Sequence, residues 1–327
     1  MTAVSASSRT PWWLWPQVLC LDAPLVAVSW MAALAKSHHL RLQPSFYIGL
    51  GLVTWIVYVL DRTADAISGR LPTPLTARHE FCLHHRKLLL RVLVPVASGY
   101  AVWLFLTDMP QGLLIQVLGL CVAAAFYLAA FSATHGALRI MMFVLAMVAG
   151  LMLFALLPAP GKVRIWLSAM LVVAVVSALR TKPDEKLRAL VPKELAASLL
   201  FTLGCSAGVH LWTPPEHGMF CHEVQWFWAL VLINLLGIQW RERIQTQLSA
   251  PLPWPLMLLI GGLLCFTLQA WLSETATVVR ALALISLLSA SAHGLLLIMA
   301  RRLRPELFHT LSDLVLLLPL PLLWWLG

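Results

Sequence analysis

The chain has 327 residues, 60% of them hydrophobic and 11% charged, and a formal net charge of +9. A soluble domain carries about 25% charged residues, so this composition excludes a single water-soluble globule and requires lipid as a solvent. A lipid-facing backbone must satisfy its own hydrogen bonds, which leaves helices or closed barrels, and unbroken apolar runs such as 281–300 predict helices.

Residues 1–10 hold one basic residue, Arg9, and no small-residue cleavage site, so the first apolar run is expected to be a permanent span. About 20 apolar residues cross a bilayer. Eleven stretches qualify: 14–35, 44–61, 88–107, 111–133, 138–158, 163–180, 194–213, 224–240, 253–273, 276–300 and 307–326. The expected fold class is all-α, a polytopic transmembrane bundle forming one integral membrane domain over 1–327. With these spans, eighteen of the 23 Lys and Arg fall on one face; only Lys36, Arg41, Lys162, Arg164 and Arg280 fall on the other. The positive-inside rule then places the crowded face and the N-terminus in the cytoplasm. That rule also accounts for the net charge without a nucleic-acid partner.

The second stretch ends in the segment with the clearest chemical content, Asp61-Arg62-Thr63-Ala64-Asp65. Asp61 and Asp65 are four residues apart, so a helix puts both on one face with Cβ atoms about 5–6 Å apart. Carboxylates at that spacing repel unless a cation lies between them. Mg²⁺ suits such a pair, because it takes one or two carboxylates and shares its remaining shell with waters and substrate phosphates. The alternative is a solvated helix end in which Arg62 only sets topology. The connection that follows carries Arg70, Arg78, His79, His84, His85, Arg86 and Lys87. Arginines beside a metal-holding pair would take phosphate oxygens in charge-assisted bonds. The positive-inside rule explains the same Arg and Lys without a ligand, though not the histidines.

The eighth stretch closes on Gln239-Trp240-Arg241-Glu242-Arg243-Ile244-Gln245-Thr246, on the same expected face. Asn234 lies inside that stretch, where a polar group is costly and tends to have a purpose. On the opposite face His210, Glu216, His217, Cys221, His222 and Glu223 crowd together. These residue types bind transition metals, but their spacing fits no standard site and Pro214-Pro215 interrupts them, so an external loop is expected. The doublet His38-His39 reads the same way. The six cysteines are scattered with no CxxC pair and read as small packing residues.

On these motifs the chain resembles the UbiA superfamily of intramembrane prenyltransferases, whose members have nine transmembrane helices and two aspartate-rich motifs at cytoplasmic helix ends. Val57-xxx-Asp61-xxx-Asp65 is similar to the first motif, NxxxDxxxD, with Val57 in place of Asn. Gln239-xx-Glu242-xxx-Thr246 stands where the second, DxxxD or DxxDxxxD, belongs, and only Glu242 is acidic. The stretch 191–204, which contains Lys193-Glu194, is similar to the lysine–glutamate helix start preceding that motif, and Tyr127 matches a cavity tyrosine of the family.

The resemblance implies nine family helices plus an inserted hairpin over 138–180, an even insertion that preserves sidedness. It implies Mg²⁺-dependent transfer of a polyprenyl group from its diphosphate to a lipophilic acceptor, aromatic or tetrapyrrole, in a bacterial cytoplasmic membrane. Asp61, Asp65 and Glu242 would hold metal, with Asp61 and Asp65 catalytic. Arg62, Arg70, Arg78, Tyr127, Lys193, Asn234, Gln239 and Arg241 would bind substrate. The eroded second motif leaves a non-catalytic scaffold or lipid-binding subunit as the alternative. A transporter is disfavoured, because these carboxylates sit at span ends and no inverted repeat with Gly/Pro-broken helices is evident.

Overall fold

The computed structural model of the chain describes residues 11–67, 77–127, 193–212, 221–246, 253–274 and 276–321. The expected hairpin 138–180 and Arg70 lie outside them. Among the described residues every regular element is helical. A short turn of 3-10 helix, Trp12–Leu14, leads into α1 (Trp15–Val18), α2 (Asp22–Ser37), α3 (Pro44–Ile67) and α4 (Ala77–His84). Then come α5 (Arg86–Asp108), α6 (Gln111–Tyr127), α7 (Lys193–His210) and α8 (His222–Thr246). The chain continues through α9 (Trp254–Ser273), α10 (Thr277–Met299) and α11 (Pro305–Val315).

Among the described residues α3, α5, α9 and α10 are long and apolar enough to cross a membrane, and the bent pair Trp12–Val18 with α2 makes a fifth if counted as one span. Large apolar side chains point outward: Leu106 of α5 is 70% exposed, Leu272 of α9 67% and Ile298 of α10 69%. Outward faces of this kind suit lipid rather than water.

Three expected stretches differ from the observed helices. The run 14–35 is broken by an 80° bend between Val18 and Asp22. Cys20 sits at the break with φ 59°, a left-handed conformation that no helix can pass through. α3 continues past 61 to Ile67, because nothing between Leu60 and Ser68 is a Gly or Pro, so Asp61 and Asp65 are both helical. The run 307–326 is interrupted by a turn over 316–318 after α11 ends at Val315, with residues beyond 321 outside the described ones. The Leu316 carbonyl just beyond α11 accepts the indole N–H of Trp30 at 2.8 Å instead.

The main core forms where α2 meets α8, α10 and α11. Trp30 stacks on Phe227, with ring centroids 4.3 Å apart and planes at 18°. Both are fully buried, with Leu230, Ile233, Leu282, Ala290 and Phe308 around them. α2 also packs on α7 at Gly208, where an added Cβ would come within 3.1 Å of both Met31 Cε and Phe46 Cδ1. A small residue at that point lets the helices approach closely. Side-chain contacts link Asp22, Tyr58 and Arg62, join Lys193 to Asp61 and Arg78 to Glu242, and separately bring His38, Cys221 and Glu223 together at the other ends of α2 and α8.

Candidate functional site

At 3.6 residues per turn, Tyr58, Asp61, Arg62 and Asp65 share one stripe of α3. Lys193, the first residue of α7, closes on that stripe. Its Nζ lies 3.2 Å from Asp61 Oδ1 and 3.2 Å from Asp65 Oδ2, to which it donates a hydrogen bond. The same ammonium sits 5.9 Å from the ring centroid of Tyr127, the last residue of α6. Three helices thus bring polar groups to one point. The cation demanded by the Asp61–Asp65 spacing is an ammonium 128 residues away in sequence. Lys193, Asp61 and Asp65 keep 31%, 15% and 24% exposure, so the bridge is reachable and open to exchange.

The other half of the stripe faces α2. Arg62 donates to the Tyr58 hydroxyl at 2.8 Å and lies 4.7 Å from that ring centroid. The Tyr58 hydroxyl in turn donates to Asp22 Oδ2 at 3.1 Å. Nearby, Asp313 of α11 accepts from Gln17 and from Asn234, both at 3.1 Å, and Ser312 donates to Asn234 Oδ1. Asn234, expected at the substrate site, therefore ties α8 to α11. Arg241 donates to the Leu303 carbonyl at 2.8 Å, and Gln239 is half-buried on α8.

α4 supplies the remaining charge. Arg78 is buried, and its ion pair with Glu242 spans 3.7 Å, longer than a hydrogen bond. Among the described residues none of its three guanidinium nitrogens has a hydrogen-bond partner. A cleft of about 10 Å³ beside it, also lined by Gln17, Glu306 and His309, has room for about one water. The adjacent His79 is buried close to several cations. Burial, with the charges of Arg78, Arg62 and Lys193, pushes its imidazole down to about 2 and keeps it neutral at pH 7.

The structure therefore joins Asp61, Asp65, Lys193 and Tyr127, and sets Arg62, Arg78 and Glu242 in adjoining contacts. Sequence reasoning missed Asp22, Tyr58, Asp313 and Gln17. Asp22 and Asp313 had a signal: each is a lone carboxylate inside an apolar run, where a charge requires a partner. Chemically, two carboxylates converging on one cationic nitrogen form a hard-oxygen donor set that fits a single Mg²⁺. The buried guanidinium of Arg78 offers donors suited to an anion.

Fold and site together define a class: a helical protein with membrane-length apolar helices and an interleaved carboxylate–cation cluster at one end of the bundle. No protein-family model, no curated protein and no solved structure matches the chain.

Proposed function

We propose that the chain is a Mg²⁺-dependent intramembrane prenyltransferase of the UbiA type, moving a polyprenyl group from its diphosphate to a lipophilic aromatic or tetrapyrrole acceptor. The observation that carries this reading is the convergence of Asp61, Asp65, Lys193 and Tyr127, from three helices, at one end of an apolar bundle. Asp61 and Asp65 hold one Mg²⁺, which when bound supplies Lewis-acid stabilisation of charge on the leaving diphosphate. Lys193 exchanges from the carboxylates to phosphate oxygens. Arg78 donates to the same anion and is oriented by Glu242. The Tyr127 ring faces the allylic group and stabilises its developing positive charge by cation–π contact. The apolar helix faces keep water from that cation.

Eleven spans, the inserted hairpin 138–180, a cytoplasmic N-terminus and a bacterial inner membrane belong to the same reading. The uneven distribution of Lys and Arg supports them. A second reading, a non-catalytic scaffold of the same fold, is favoured by one observation: Lys193 already neutralises the carboxylate pair. Diphosphate release from a prenyl diphosphate by the chain in proteoliposomes with Mg²⁺ separates the two. Asp61→Ala and Asp65→Ala are each expected to lower the rate by about 10²–10³-fold, the scale for losing one electrostatic stabiliser. Equal release by wild type and both variants overturns the enzymatic reading in favour of the scaffold.

A further inference from the structure

The end of the bundle opposite Asp61 assembles residues from three separate segments. α2 stops in a left-handed turn: His39 has φ 56°, and the Leu40 N–H donates to the Ala35 carbonyl at 2.8 Å. This Schellman-type stop fixes the end of α2 beside the start of α8. There His38 Nε2 lies 3.9 Å from Cys221 Sγ, across 183 residues of sequence. Glu223, in the first turn of α8, is buried next to them. The ligand atoms of His38, Cys221 and Glu223 all lie within 4.8 Å of one another. The floor beneath is apolar, made by Leu34, Ala35, Val209 and Val224.

We propose that His38, Cys221 and Glu223 form a binding site for a borderline divalent metal, Zn²⁺, with solvent completing its shell. One thiol, one imidazole and one carboxylate aimed at a common point are a donor set for Zn²⁺. Mg²⁺ and Ca²⁺ take oxygen ligands and are poorly served by sulfur and nitrogen. Tetrahedral Zn²⁺, with bonds of about 2.0–2.3 Å, holds its ligand atoms about 3.3–3.8 Å apart. The present spacing therefore needs a contraction of at most about 1.5 Å to meet that geometry. On uptake the Cys221 thiol gives its proton to solvent, a sulfur–zinc bond forms and a water leaves the ion; no electrons are exchanged. The bound ion clamps the end of α2 to the start of α8.

The test uses the full chain in detergent, stripped with a chelator and titrated with Co²⁺ as a spectroscopic stand-in for Zn²⁺. One equivalent is expected to bind with a thiolate-to-cobalt charge-transfer band and tetrahedral visible bands, both bleached by Zn²⁺. Cys221→Ser removes the charge-transfer band. His38→Gln, a change at the end of α2 outside the core, weakens Co²⁺ binding at least about tenfold. Glu223→Gln does the same. The double variant Asp61→Asn/Asp65→Asn keeps the thiolate band, which separates this site from the carboxylate pair at the other end. The proposal is overturned if no saturable thiolate band appears. It is also overturned if the band survives Cys221→Ser, or if His38→Gln binds Co²⁺ as tightly as wild type.

Discussion

Lys193 decides how the carboxylate pair behaves. Asp61 and Asp65 sit one helical turn apart and would repel each other, and the ammonium at 3.2 Å from each offsets that repulsion. The bridge is partly exposed, so its worth lies between that of surface and buried ion pairs. Lys193→Met is expected to cost about 1–2 kcal/mol, read as a lower thermal unfolding midpoint in detergent. Mg²⁺ should then stabilise this variant more than wild type, because the ion no longer competes with the ammonium. Mg²⁺ that leaves both midpoints unmoved removes the metal role of the pair. The sequence showed that these two carboxylates need a cation, since the i, i+4 spacing forces it. It did not show which cation, because a partner 128 residues away is set by packing and not by any local pattern.

Single side chains also join whole elements. The amide of Asn234 donates to Asp313 and its carbonyl accepts from Ser312, which couples α8 to α11. Asn234→Leu removes both bonds and leaves Asp313 Oδ1 and the buried Ser312 hydroxyl without these partners. The expected loss is about 2–3 kcal/mol, measured as a shift in the denaturant midpoint. A variant as stable as wild type shows that the junction does not depend on this amide. At this scale the sequence was informative. Most apolar runs of span length that the described residues cover fall on helices, because a backbone in apolar surroundings must satisfy its own hydrogen bonds and run length sets how far it does so. It failed where a local event overrides the run. Cys20 adopts a left-handed conformation that composition does not announce, and α11 ends where the carbonyl of Leu316 turns to Trp30.

His79 lies buried at the polar end of the bundle, beside Arg78. Its imidazole, ordinarily near 6.5, lies at about 2 in the folded chain. Unfolding therefore takes up a proton anywhere between those values, so stability present above about pH 6.5 is lost as the pH falls, by up to about 1.4 kcal/mol per pH unit. The denaturant midpoint should be flat above about pH 7 and should decline below about pH 6, and His79→Phe should flatten the decline. An identical slope in the variant assigns the acid sensitivity to other groups. The site as a whole was half legible. Asp61, Asp65, Tyr127 and Lys193 could be named from motif and resemblance. The Asp22–Tyr58–Arg62 and Gln17–Asp313–Asn234 chains could not, because they exist only once distant helices have packed. That dependence on distance has a consequence for synthesis. The ribosome makes Asp61 and Asp65 long before it makes Lys193. At about 5–20 residues per second, a separation of 128 residues leaves the two acids without their lysine for roughly 6–25 seconds. During that interval the nascent α3 must hold its acidic end in water or against the headgroups, and only the arrival of α7 lets it settle.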